Sequence, residues 1–334
     1  MRTIIYLLSL LFISCGTTST DKILVSNYGQ TQGTTYSIRY MSSNGVNYKT
    51  QIDSLLLLID SSLSTYNEHS IISKINRNES KQTDSLFRKV FDTSLKIAKV
   101  TNGAFDPTIA PVVNYWGFGF EDIPEKNKDI LPQLMESVGH EKVFLENDLL
   151  KKTNPNVQLD FNAIAQGFSV DFIAAKLEEI GISDYMIEIG GELKCKGVNA
   201  DEKLWRIGID KPSEVIEEDR FQAIIEVKDK AVASSGNYRK FKVDNQMGTK
   251  YAHTINPRTG EPVLTNLLSA TVISNSCMTA DAYATAFMVM GTEKSIDYLK
   301  KYTEIDALLI YSGPKGEWLH FQTEGFEQMS IYQN

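Results

Sequence analysis

Asp281 and Thr285 stand four residues apart in ADAYATAFMVMG, residues 280–291. On a helix that spacing sets them on one face, one turn apart. A carboxylate and a hydroxyl so placed suit a hard, oxygen-seeking cation such as Mg2+. The same pair also fits an acid near a helix start and a Thr bonded to its own backbone, with no metal. His253 ends a strand-like run in AHTINPRTG, two residues before Ile255 and just ahead of an Asn-Pro turn. Its imidazole can donate to a phosphate or exchange a proton near neutral pH; an ordinary surface histidine fits as well.

A third polar group lies in LDFNAIAQGFSVDFIAAKLEEIGISDYMIEIGGEL, residues 159–193. The stretch reads as strand end, tight polar turn, helix, strand and Gly-Gly turn. Asp160 leaves the first strand, Asn162 opens the helix and Gly167 sits just inside it. Ile164, Phe168, Phe172 and Ala175 recur at helical spacing, which predicts one buried face. The unpaired N–H groups of a helix N-terminus can hold an anion, but a plain βαβ-like unit has the same pattern. Ser234-Ser235-Gly236 reads as a small flexible turn where backbone can approach a ligand. GAFDPTIAPVVNYWGFGF, residues 103–120, has no sustained period and is too apolar for a solvated loop. It is predicted to pack, either over a core edge or as a pocket wall with Asp106 at the mouth.

These groups need a scaffold, and the hydrophobic pattern supplies one. Val25–Tyr40 reads as two short strands, or one bent strand, at Gly33. Asn47–Leu63, Ser70–Asn76 and Asp84–Val100 read as helices. In the last, Asp84 caps the start and Leu86, Val90, Phe91 and Leu95 mark the core side. Asn127–Ser137 reads as a further helix and Lys142–Leu145 as a strand. Strands follow at Leu193–Gly197, Trp205–Ile209, Phe221–Val227 and Ala231–Ser234, with an exposed Glu-rich hairpin or loop at Ser213–Asp219. Tyr238–Val243 and Tyr251–Ile255 pair as a hairpin. Leu267–Ser274, Ala307–Tyr311 and Trp318–Gln322 are strands, and Thr279–Met290 and Thr292–Tyr302 helices. Many strands interrupted by helices point to an α+β or mixed α/β fold, a single unit with mixed sheets flanked by helices.

The 334 residues carry 34 Lys and Arg against 42 Asp and Glu, a formal charge of −8, so there is no basic footprint for nucleic acid. An acidic chain that handles a phosphate ligand needs a local cation or helix N-termini. Arg2 and the apolar run IIYLLSLLFIS before Cys15 resemble a bacterial lipoprotein signal over residues 1–14, with plain secretory cleavage as the alternative. Cys15 would then carry the lipid, residues 15–24 would be a tether, and 25–334 the catalytic domain. Cys195 and Cys277 have no CxxC partner; one disulfide and two buried thiols both remain open. There is no Walker A sequence, Gly-x-Ser-x-Gly elbow or HExxH, and no GxGxxG after the first strand.

Taken as an ordered set, QGTTYSI, LSTYNEHS, GAFDPTIAPVVNYWGFG, LDFNAIAQGFSVD, IEIGGEL, ASSGNYR, HTINPRTG and ADAYATAFMVMG resemble the ApbE family of flavin transferases (FAD:protein FMN transferases). The resemblance implies an ApbE-like, T-fold-related catalytic unit. It implies that FAD is bound with Mg2+ and that a Thr or Ser hydroxyl of an acceptor flavoprotein attacks the pyrophosphate. FMN is then linked through a phosphoester and AMP leaves. By the same resemblance, Asp281 and Thr285 are metal ligands through side chains and Ala163 through its backbone carbonyl. Ala163 must then lie outside the regular helix, whose start moves a few residues past Asn162.

The resemblance also makes Tyr66 a wall for the flavin or adenine ring, and Ala104, Phe105 and Asp106 part of the dinucleotide site. Asp160 becomes a polar contact, Ile255 packs on the ligand, and His253 lies beside the phosphates with a catalytic role, as does Asp281. Four residues depart from the family pattern. Gln32 stands where Met is common, Asn162 for Gly or Ser, Gln166 where Lys is frequent, and Asn256 for Asp. Gln32 and Gln166 still fall at cofactor-binding positions, but Gln166 removes a cation near the phosphates. The implied setting is the bacterial cell envelope, an inner-membrane lipoprotein facing the periplasm, with acceptors among membrane electron-transfer subunits. An FAD pyrophosphatase and a non-catalytic FAD-binding lipoprotein are the alternatives.

Overall fold

The computed structural model describes residues 22–120, 128–213, 220–237, 241–243 and 250–333. The signal, Cys15, most of the tether and most of the Glu-rich loop lie outside these residues. The N-terminal part holds β1 Ile23–Thr31, β2 Thr34–Ser42, α1 Lys49–Leu63, α2 Ile71–Asn76, α3 Ser85–Val100, α4 Ala110–Tyr115 and α5 Leu131–Met135. The middle holds β3 Val143–Glu146, β4 Leu149–Lys152, α6 Ala165–Glu179, β5 Tyr185–Ile189, β6 Glu192–Lys196, β7 Trp205–Asp210, β8 Phe221–Val227 and β9 Lys230–Gly236. The remainder is β10 Phe241–Val243, β11 Lys250–Ala252, β12 Leu267–Ser274, α7 Cys277–Met290, α8 Thr292–Lys301, β13 Asp306–Ser312, β14 Trp318–Gln322, α9 Glu324–Met329 and β15 Ser330–Gln333.

The main sheet has eight strands in the order β1-β2-β5-β6-β9-β12-β13-β14. It draws strands from both ends of the described chain, so a single unit forms. Period-two burial drives it: Tyr36, Ile38 and Tyr40 of β2 and Tyr185, Ile187 and Ile189 of β5 all point to one face. On that face α1 and α6 pack through Ile52, Leu56, Val170, Ile173, Ala174 and Leu177. Phe87, Phe91 and Phe161 centre a further layer that joins α3 and the segment before α6 to α7. On the opposite face the small sheet β15-β8-β7 and Phe326 of α9 cover Leu193, Cys195, Val232 and Ile310.

Local signals explain several elements. Asp84 accepts the Phe87 N–H at 2.7 Å, the cap expected for α3. Gln32 and Gly33 take φ of 50° and 71°, the two-residue turn whose twist suits an antiparallel hairpin. Cys195 and Cys277 are both free, buried thiols.

The α+β class holds, but the sheets are not mixed: every pairing in the four sheets among the described residues is antiparallel. The reason lies before α6. Leu159 is not a sheet strand; its N–H and carbonyl are held by the Asn76 side chain at 2.7 and 2.8 Å. Without a preceding strand there is no parallel crossover, and β5 returns to β6 through the tight Gly190-Gly191 turn. Ala175 is exposed, because α6 buries the arc of Gly167, Phe168, Val170, Ile173, Ala174 and Leu177. Ser234-Ser235-Gly236 is the end of β9, not a turn, since it pairs with Thr271, Ala270 and Ser269 of β12. Residues 103–120 do pack, and they contain α4, which begins on an Ala-Pro pair suited to a helix's first turn. β4, α9 and β15 carry too little pattern to be read from sequence.

Candidate functional site

The residues before α6 make a turn, not a helix. Ile164 and Ala165 both donate to the Phe161 carbonyl, at 3.0 and 2.8 Å, and Phe161 and Ile164 are buried anchors. The first bond of α6 runs from Phe168 N–H to the Ile164 carbonyl. Gly167 N–H, whose helical partner would be the Ala163 carbonyl, donates instead to Asp281 Oδ2 on α7 at 3.1 Å. Among the described residues no backbone N–H then reaches the Ala163 carbonyl. The expectation that Ala163 stands outside the helix is met, with α6 beginning at Ala165.

Gly167 permits this junction by lacking a side chain. A Cβ there would stand 2.5 Å from the Cys277 carbonyl oxygen and 2.9 Å from Asp281 Cβ. Asp281 is 5% exposed, and burial pushes its carboxyl up to about 7, against the pull of the Gly167 N–H. Its Oδ1 accepts no hydrogen bond among the described residues. One turn along α7, the Thr285 hydroxyl meets Ser235 Oγ of β9 at 3.3 Å. The Ala163 carbonyl, the Asp281 carboxylate and the Thr285 hydroxyl are all hard oxygen donors, carried on two elements that the Gly167–Asp281 bond ties together. No group of three His, Cys, Asp or Glu stands together among the described residues. These oxygens fit Mg2+, whose charge would offset the cost of a buried carboxylate.

The same turn carries Asp160. Its Oδ1 accepts the Asn162 N–H at 2.7 Å, its own N–H donates to the Pro107 carbonyl at 2.8 Å, and burial raises its pKa. Tyr66 stands beside it, 67% exposed; burial and then the Asp160 charge raise the phenol's pKa, while the Asn162 side chain lowers it. Gln166 lies against Gly190, where a Cβ would come within 2.8 Å of its Nε2 and φ is +67°. Gln32 reaches α6 from the hairpin turn, its Nε2 donating to Ser169 Oγ at 2.6 Å. Its Oε1 is buried without a partner in the described structure.

The side chains of residues 104–106 are buried. Ala104 and Phe105 are buried in the core below α3. Asp106 is 7% exposed. Its Oδ1 accepts from Thr108 N–H and Oγ1 at 2.9 and 2.6 Å. Its Oδ2 accepts the His140 N–H at 2.9 Å and faces that ring's Nδ1 at 3.3 Å. The Asp106 hydrogen bond and charge, helped by Glu141, raise the His140 pKa against its partial burial.

The loop after β11 is tied to the same region. Ile255 packs with Val112 and Val138, and Trp116 Nε1 donates to the Gly260 carbonyl at 2.7 Å. Thr254 Oγ1 donates to Asn237 Oδ1 at 2.7 Å, next to the end of β9. His253, half-buried, therefore enters at the end of β9 that carries Ser235. Sequence reasoning passed over Ser235, the donor role of Gly167 and the His140–Asp106 contact. Only Ser235 had a usable signal, as part of a segment already read as approaching a ligand.

The chain matches the ApbE family over residues 32–309. A protein of Vibrio cholerae serotype O1 named "FAD:protein FMN transferase" is 38% identical over 301 residues, covering 86% of this chain and 87% of its own. One of that name from Haemophilus influenzae is 36% identical over 293 residues, covering 83% and 84%. The solved structure of "Flavin Transferase ApbE from Vibrio cholerae" is 36% identical with a TM-score of 0.83, covering 92% of this chain and 99% of its own. The apo form of Pseudomonas stutzeri flavinyl transferase ApbE is 29% identical with a TM-score of 0.82, covering 94% and 98%. A match running from the β1–β2 turn into β13, relatives this similar along most of the chain and a shared fold establish that this chain belongs to the ApbE family.

Proposed function

We propose that this chain is an FAD:protein FMN transferase that moves FMN from FAD to a Thr or Ser hydroxyl of an acceptor flavoprotein. The observation that carries it is the Ala163 carbonyl, left without an N–H because Gly167 is diverted to Asp281. That diversion supports reading the Ala163 carbonyl, Asp281 and Thr285 as oxygen ligands for a divalent cation beside a helix N-terminus, a setting that suits a diphosphate. The names borne by the relatives supply the substrate class.

In the reaction, the acceptor oxygen forms a bond to the FMN-side phosphorus, the bond from that phosphorus to the bridging oxygen breaks, and AMP leaves with the electron pair. Mg2+ bound by the Ala163 carbonyl, Asp281 and Thr285 would offset charge on the diphosphate and on the departing AMP. Tyr66 offers an exposed ring face for flavin or adenine, and Asp160 a polar contact beside it. Ala104, Phe105 and Asp106 present backbone to the dinucleotide, with Ile255 packing from the facing loop. Gln32 and Gln166 offer neutral amides at the edge of the site, so phosphate charge falls more heavily on the cation. His253 stands as the donor to the phosphates or the acceptor of the hydroxyl proton.

The N-terminal sequence supports a lipid-anchored protein: Cys15 carries the lipid, residues 15–24 tether the domain, and the enzyme faces the periplasm from the inner membrane. Acceptors would then be flavoproteins of membrane electron-transfer complexes.

The test incubates purified protein with FAD and Mg2+, with and without an acceptor carrying the target Thr. Flavin fixed covalently to the acceptor, with one AMP per flavin and none from the Asp281→Asn protein, is the expected result. FMN and AMP at the same rate without acceptor would make the chain a pyrophosphatase; unchanged bound FAD would make it a storage protein.

A further inference from the structure

The bond from Gly167 N–H to Asp281 holds α7 to α6 at one point. α7 is also buried along its length through Ala280, Ala282, Ala284, Ala286 and Phe287, small and apolar groups that give its N-terminal end no polar anchor. A second tie stands four residues further along α6, on the same face. Asp171 Oδ2 accepts from Ser276 Oγ at 2.7 Å and from Met278 N–H at 3.0 Å. Its Oδ1 accepts from Lys194 Nζ of β6 at 2.8 Å, and the two side chains are 18% and 20% exposed.

Ser276 is the N-cap of α7 and itself accepts the Thr279 N–H at 3.3 Å. Asp171 adds to that cap from another element. It takes a first-turn N–H that the helix leaves unpaired and puts negative charge at the positive end of the helix. Lys194 offsets that charge from the sheet. The two ties are about 6 Å apart along α6 by the helical rise. They meet α7 at 276–278 and at 281, again about one turn apart. Added to that packing, two such points anchor the N-terminal end of α7, the helix that carries Asp281 and Thr285.

We propose that Asp171 is a positioning residue: by holding the α7 N-terminus through Ser276 and Met278, it places Asp281 and Thr285 against the Ala163 carbonyl and sets the cation affinity of the site. This rests on the metal-site reading above. A half-buried ion pair serving only the fold would lower stability on removal but leave metal affinity intact in the folded protein.

The test is Mn2+ binding to the protein without FAD, followed by electron paramagnetic resonance, with thermal melting of each variant alongside. Asp171→Ala is expected to weaken Mn2+ binding about tenfold, the low end for support around metal ligands. Asp171→Asn, which keeps an acceptor oxygen for Ser276 and Met278, should restore most of that loss. Lys194→Met should lower the melting temperature yet leave affinity within about twofold, because the α7 contacts remain. Folded Asp171→Ala that binds Mn2+ as the wild type does overturns the proposal. If that variant does not fold, Ser276→Ala decides: weaker binding supports the proposal and unchanged binding overturns it. Asp281→Asn separates the two claims. Loss of binding there with none in Asp171→Ala defeats positioning alone, while undiminished binding in Asp281→Asn defeats the metal site and positioning together.

Discussion

The backbone N–H of Gly167 donates to the carboxylate of Asp281 across 3.1 Å, joining residues 114 positions apart. This one bond takes the N–H that would otherwise pair with the Ala163 carbonyl and fixes a buried carboxylate at the start of α6. The junction of the two helices thus depends on a residue with no side chain.

Replacing Gly167 by Ala should damage fold and site together. The new methyl would meet the Cys277 carbonyl oxygen and carbon at 2.5 and 2.7 Å, both backbone atoms that no rotamer change can move. Forcing α6 from α7 should cost about 1–3 kcal/mol of stability, the usual range for overpacking. Denaturant unfolding read beside Mn2+ affinity checks this. A stable variant with normal affinity would show that the junction has slack.

The Tyr66 prediction has the opposite character. The ring is 67% exposed, so Tyr66→Ala should leave the melting temperature nearly unchanged. Loss of one stacking face should weaken FAD binding about tenfold, and Tyr66→Phe should keep most of it. Equal FAD affinity in Tyr66→Ala, by fluorescence titration, would remove the ring from the binding site.

How much was legible follows from the range of each signal. The helical pairing of Asp281 with Thr285 and the cap at Asp84 are local, and both were readable. Ala163 was not readable from its own chemistry, since alanine has none; only the family motif pointed to it. The tie from Gly167 to Asp281 is long-range, and a glycine does not announce a partner. Ala175 matched a helical stripe but faces solvent, because α6 is covered by sheet and helices over an arc that its sequence does not outline. Asp106 and His140 lie 34 residues apart in unlike segments, so neither suggested the other.

That contact predicts a pH dependence. Asp106 raises the His140 pKa, so the protonated ring favours the folded state. The stabilisation is full below the unfolded value, near pH 6.5, and disappears as pH rises through the higher folded value. Asp106 and Glu141 are the charged groups that face the ring. The stability gap between wild type and His140→Gln should therefore be larger at about pH 5.5 than at about pH 9. A gap that does not change with pH would mean that the backbone N–H bond alone holds Asp106.

For His253, substitution by Ala should lower kcat more than it weakens FAD binding, if the imidazole acts on the hydroxyl proton or the leaving phosphate. Parallel measurement of single-turnover rate and FAD affinity gives the split. A loss confined to affinity would reduce His253 to a ligand contact.

The most direct test of the account is the position of the metal. Crystals of the protein soaked in Mn2+ and measured at an anomalous wavelength should show one strong peak touching the Ala163 carbonyl, Asp281 and Thr285, absent from Asp281→Asn crystals. A peak elsewhere, with these three oxygens unligated, would contradict it.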